Sequence, residues 1–299
     1  MSRREVGYNG AVETESAIDT RVRTLPAWPT LYGWGFLPVA AVLGGAWTFA
    51  APLEGDIWLT VLTALVLALA GWLPFWRIVT RTSWAHTFAL WRTWKREAAL
   101  PFWPYLQPGT PGAALHRTLR QARAWWSEVG RAALAAPLCM AALALVVNLL
   151  AALVLGRDAL LLTLAMIAWT EIAVLWHEGR GDVGAAWAAG ALVGLPWLLG
   201  ASLGVSSAGP AGMLQPALSA LALILLMAFY AHPAPTAVLG PLLGAGFLVW
   251  QRQFLAAGGV LLLALPGLLL LLQRPSMATY RRALTPWLLA IIFLMAWVL

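Results

Sequence analysis

The groups that could do chemistry in this 299-residue chain are few, and most lie in two short stretches. The densest is His177-Glu178-Gly179-Arg180-Gly181-Asp182, which follows Glu171 in an otherwise apolar run. Glu171, Glu178 and Asp182 are three carboxylates at one end of a pair of helices. They are the candidate catalytic acids, because such a set could hold a divalent ion together with a diphosphate. His177, Glu178 and Asp182 form a weaker candidate metal set. A His-Glu pair also opens a zinc-protease helix, but the second His would fall at position 181, which is Gly. The two glycines favour a polar turn between spans, which is ordinary loop chemistry.

The second stretch is basic. Arg117, Arg120 and Arg123 recur at spacing three, with Arg131 beyond them. Guanidinium groups take phosphate oxygens two at a time. No Gly-rich phosphate loop accompanies them, so anionic lipid headgroups are the leading expectation, ahead of an acidic partner or a small phosphorylated ligand. His86, His116, His177 and His232 share no spacing that puts two on one helix face, so a shared metal or haem site is a minor reading and any cofactor is left open. Gly200-Ala201-Ser202-Leu203-Gly204 matches a nucleophile pattern without the strand-to-helix elbow it requires. Cys139 is the single cysteine, which rules out an intrachain disulfide.

Membrane helices must position these groups. Hydrophobic residues make up 61% of the chain and charged residues 10%, against about a quarter in soluble domains. The fold class read from this is all-α, a polytopic transmembrane bundle of eight to nine spans with cytoplasmic amphipathic interfacial helices. The nine apolar runs are Leu31–Ala51, Ile57–Trp76, Ala132–Leu155, Leu160–Trp176, Ala185–Leu203, Leu214–Tyr230, Pro235–Trp250, Phe254–Leu272 and Ala283–Leu299. A ~30 Å hydrocarbon core needs about 20 residues of helix. The seventh run is short and rich in Pro and Gly, so with the eighth it could form a re-entrant hairpin.

Four regions follow: a polar tail (1–30), a transmembrane hairpin (31–76), a basic loop with amphipathic helices (77–131) and the main bundle (132–299). The first 25 residues are polar and mixed in charge, so no cleavable signal peptide is expected. With the N-terminus inside, all but Arg157 and Arg252 of the 19 Lys and Arg fall on the cytoplasmic side. That bias predicts a cell-membrane protein with its C-terminus outside, and assigns the net charge of +7 to topology and anionic lipid, not nucleic acid. It also places Ser202 and His232 at opposite ends of their spans, too far apart to form a dyad.

Nineteen tryptophans support the same frame. Trp34, Trp58, Trp72, Trp76, Trp176, Trp197, Trp250 and Trp287 lie near span ends, where an interfacial belt would put them. Within the basic loop, a helix over Arg81–Leu100 would group Trp84, Phe88, Trp91 and Trp94 on one arc. Trp84, Trp91, Trp94 and Trp126 are the expected interfacial anchors. A Pro-rich connector from Pro101 to Gly112 separates that helix from Ala113–Arg131, whose apolar stripe is Leu115, Leu119, Ala122, Trp126 and Val129. Deep polar groups are scarce: Asn148 in the third run and Glu171 in the fourth, which could hydrogen-bond to each other. Gly190/Gly194 and Gly240/Gly244 are small-residue pairs suited to close helix packing.

Nine spans, an inside N-terminus and a long basic loop after the second span resemble the intramembrane prenyltransferases of the UbiA superfamily. The segment from Tyr280 to Leu289 loosely resembles that family's ending. The resemblance implies a magnesium- and prenyl-diphosphate-dependent activity carried by two Asp-rich motifs. This chain departs there, with no Asp or Asn from Ile57 through Ser127. The likeness is therefore one of architecture.

Three functional classes result. The leading one is a non-catalytic subunit or membrane-organising component with membrane-protein partners. The others are a lipid- or isoprenoid-handling enzyme using the cytoplasmic acids, and a permease for an uncharged or lipidic solute.

Overall fold

The computed structural model describes residues 34–49, 57–82, 84–99, 109–176, 184–205, 212–232, 234–273 and 275–299. Every regular element among them is helical. In chain order these are α1 (Leu37–Phe49), α2 (Ile57–Val66), α3 (Leu73–Arg81), α4 (Trp84–Thr93), α5 (Pro111–Trp125), α6 (Arg131–Leu155) and α7 (Arg157–Trp176), then α8 (Ala185–Ala189), α9 (Leu195–Val205), α10 (Leu214–Tyr230), α11 (Leu239–Trp250), α12 (Phe254–Leu271) and α13 (Met277–Val298). Among the described residues, six continuous helices are long and apolar enough to cross a membrane, and three shorter ones are apolar as well. Each expected run coincides with one of these nine.

Three of the long helices contain a wide π turn: Leu67–Trp72 joins α2 to α3, Trp126–Gly130 joins α5 to α6, and Gly190–Gly194 joins α8 to α9. Two of them have the same cause. Pro74 and Pro196 stand two residues past the turn, and proline brings no N–H to the ladder. The N–H before each reaches five residues back, Leu73 to the Ala68 carbonyl and Leu195 to that of Gly190.

Four large side chains, Trp72, Trp197, Tyr230 and Tyr280, are fully buried, and each has its polar atom served from inside. Trp72 Nε1 donates to Thr163 Oγ1 (3.2 Å) and Trp197 Nε1 to Ser219 Oγ (2.9 Å). The Tyr280 hydroxyl donates to the Tyr230 carbonyl (3.1 Å), and the Tyr230 hydroxyl to that of Ala264 (2.9 Å). These satisfied donors correct part of the expected belt. Trp72, Trp76 and Trp197 are core residues, whereas Trp58, Trp176 and Trp250 are exposed, as a belt requires.

The expected small-residue pairs pack inside the bundle: Gly190 against the Trp169 indole, Gly194 against Ile224, Gly240 against the backbone of α10 and Gly244 against Leu226. The nucleophile-like stretch is also packing. Ser202 is buried in α9, its hydroxyl donating to the Leu199 carbonyl (2.8 Å), while His232 is exposed in the turn after α10.

Between α11 and α12 the chain reverses in three residues. Gln253 N–H donates to the Leu248 carbonyl (2.8 Å) and Arg252 N–H to that of Val249 (2.9 Å), the bond pair of a Schellman cap. Arg252 occupies the left-handed position at φ 63°, where glycine is usual. Arg252→Gly is therefore expected to raise stability by about 0.5–1 kcal/mol. A rise of a few degrees in the thermal midpoint in detergent would register it; an unchanged or lower midpoint would mean the guanidinium has a compensating role.

Candidate functional site

The basic loop folds into a platform, differing from expectation in two ways. First, α4 stops at Thr93, and residues 94–99 run on without helix. Second, α5 does not end before the third span. Thr110 caps its start, accepting from Ala113 N–H (3.3 Å), with Pro111 at the first position. From there the helix continues through the π turn into α6, so that Pro111–Leu155 is one helix of 45 residues. At ~1.5 Å per residue that is ~67 Å, about twice a hydrocarbon core. The helix persists because Ala124 to Ala136 contains no breaker except Gly130. That glycine leaves room for the Trp125 and Trp126 rings, which a Cβ would meet at 2.9 and 2.7 Å.

Trp125 is the hub of the platform, 7% exposed. Phe88 stacks on it (centroids 6.1 Å, 24°), Trp91 meets it edge-on (5.8 Å, 70°) and Trp126 lies beside it (6.3 Å). Of the expected anchors, Trp126 is exposed and Trp91 and Trp94 are half-buried. Trp84 is half-buried too and donates its indole N–H to the Val79 carbonyl (2.9 Å). The sequence reading missed Trp125. Its position off the apolar stripe hid it, although two adjacent tryptophans on one helix must point in different directions.

The candidate phosphate-binding arginines separate into two pairs. Arg120 Nε donates to the Ala98 carbonyl (3.1 Å) and its Nη1 lies 3.5 Å from Glu97, while Arg123 donates to the Ala99 carbonyl (3.3 Å). Ala98 N–H returns a bond to the Arg120 carbonyl (3.1 Å). These two arginines staple the 94–99 segment to α5. Nearby, Arg96 pairs with Glu128 (2.8 Å). Arg117 and Arg131 are exposed.

Of the acidic set, only Glu171 lies among the described residues. Glu171 lies on the exposed face of α7, because the buried edge runs through Thr163, Met166, Thr170 and Ala173. It makes no bond to Asn148, whose amide atoms are buried and unpartnered. His177, Glu178 and Asp182 lie outside the described residues. Among the described residues no three His, Cys, Asp or Glu side chains converge as a metal site. Comparison with known protein families, curated proteins and solved structures finds no match.

Proposed function

We propose that this chain is a non-catalytic component of a larger membrane assembly. It sits in the cell membrane with its N-terminus and aromatic–arginine platform in the cytoplasm and its C-terminus outside. Its partners are anionic lipid headgroups and another membrane protein, not nucleic acid. One observation carries the reading: the long helix outruns the bilayer and takes an apolar stripe with it. On α5, Leu115 is 54% and Leu119 38% exposed, about three to four turns before the start of α6. A helix continuous with a span cannot also lie flat in the headgroups, since a π turn bends a helix by tens of degrees and not by ninety. An apolar stripe held away from lipid calls for a protein partner.

The enzyme reading has less support among the described residues, where Glu171 lies on the exposed face of α7 and the platform arginines pair with Glu97 and Glu128 instead. The permease reading is opposed by a core packed with Trp, Tyr and Leu in which the buried Thr163 and Ser219 hydroxyls accept from Trp72 and Trp197. Photo-crosslinkers placed at Leu115 and Leu119 in native membranes are expected to capture one discrete membrane protein. Capture of lipid alone at both positions would refute the assignment.

A further inference from the structure

The platform encloses a cleft of about 300 Å³ lined by Phe88, Trp91, Ala122, Trp125 and Trp126. Its walls are apolar, yet Trp125 Nε1 is buried with no hydrogen-bond acceptor. That N–H is closed off from the cleft as well as from solvent, so the cleft offers a ligand apolar contact and the charge beside it. Basic groups stand on either side. Arg123 precedes Trp126 by three residues and so shares its side of the helix. Arg131 lies one wide turn further on, its backbone N–H bonded to the Trp126 carbonyl. Both side chains are exposed, and the bond from Arg123 to Ala99 leaves most of its guanidinium donors free. Glu128, the acid within the π turn, is held by Arg96. The five residues from Trp126 to Arg131 put the cleft within ~8 Å of the start of the span, at headgroup depth.

We propose that this cleft seats one acyl chain of an anionic phospholipid, whose charged headgroup lies against the arginines beside it, Arg123 and Arg131. The proposal rests on the reading that α6 spans the bilayer, and adds to it a defined lipid site. Aromatic walls select a lipid over free phosphate, which would need the arginines alone. The charged headgroup also explains why cations flank an apolar cleft.

The test is native mass spectrometry of the full chain in mild detergent, offered phosphatidylglycerol, phosphatidylcholine or sodium phosphate. Wild type is expected to retain one phosphatidylglycerol about tenfold better than phosphatidylcholine, and phosphate is expected not to displace it. R123Q/R131Q should bring the two lipids level, because each cation near the surface contributes to anionic-lipid binding. Ala122→Phe, which fills the cleft from an existing helical position, should abolish retention of both. Retention of phosphatidylglycerol unchanged in both variants would overturn the site, as would its displacement by phosphate. Carbonate extraction of native membranes separates the two levels: release of the chain would sink the membrane reading itself, whatever the lipid result.

Discussion

Gly200→Val is expected to abolish the folded bundle, leaving aggregate or a broad peak in detergent size-exclusion where wild type elutes as a single species. α1 and α9 cross with their backbones in contact. A Cβ at Gly200 would fall on the Val42 carbonyl, and one at Gly45 on the Trp197 carbonyl. The contact is reciprocal, so neither helix can yield without moving the other. Gly44 lies under the Trp197 ring, whose indole bond to Ser219 ties α10 to the same crossing. Overpacking in a well-packed core typically costs 1–3 kcal/mol, and a clash on backbone that cannot rotate away belongs at or above the top of that range. Total stabilities of about 5–15 kcal/mol leave little margin for such a loss. Gly246→Val and Gly258→Val are the controls. A Cβ at either meets nothing within 4 Å, so both should keep the wild-type elution and thermal midpoint. If Gly200→Val behaved like these controls, the α1–α9 crossing as described would be wrong.

Much of the fold was readable from hydropathy alone, because a span needs only length and apolarity, and every expected run became a helix. Pairing was not readable. Gly200 and Gly45 are 155 positions apart and nothing local links them; Gly200 stood out only as part of a nucleophile-like pattern that proved to be packing. The belt was half right for a related reason. A tryptophan near a span end and one in a core look alike in sequence until the partner of the indole N–H is known, as Thr163 is for Trp72. The break expected at Arg131 was a change in polarity read as a change in conformation. Charge ends there, but the helix does not, since alanine-rich sequence carries it through. At the platform, the arginines were legible as a group, but their division into staples and free cations depends on the 94–99 segment folding back. The tryptophan hub was invisible because Trp125 lies off the apolar stripe of α5 and takes its partners Phe88 and Trp91 from another helix.

Asn148→Leu should make the protein more stable, raising the thermal midpoint in detergent by an amount matching about 1–3 kcal/mol. Asn148 is fully buried in α6, and neither amide atom has a partner. It abuts Gly71 in the π turn of α2–α3, where a Cβ would coincide with its Oδ1. The close approach gives the oxygen a weak Cα–H contact and leaves the NH₂ group unserved. A primary amide buried without hydrogen bonds costs about 1–3 kcal/mol by mutational measures. Leucine keeps the branched four-atom skeleton and removes that penalty, and the larger methyl groups must be taken up against Gly71, which sets the gain toward the lower end of that range. The adjacent carbonyl of Ala70 would ordinarily take its helical bond from residue 74, but Pro74 cannot donate. The Asn148 amide thus lies against the π turn of α2–α3 without bonding to it in this conformation. Gly71→Ala, by contrast, is expected to destabilise, since the Asn148 side chain must move within a packed interface. If Asn148→Leu instead lowered the midpoint, the amide would be engaged with the π turn, directly or through water, and the crossing would be held by a polar contact that this geometry lacks. The two variants together separate these cases: an orphan amide predicts opposite signs for them, and an engaged one predicts that both destabilise.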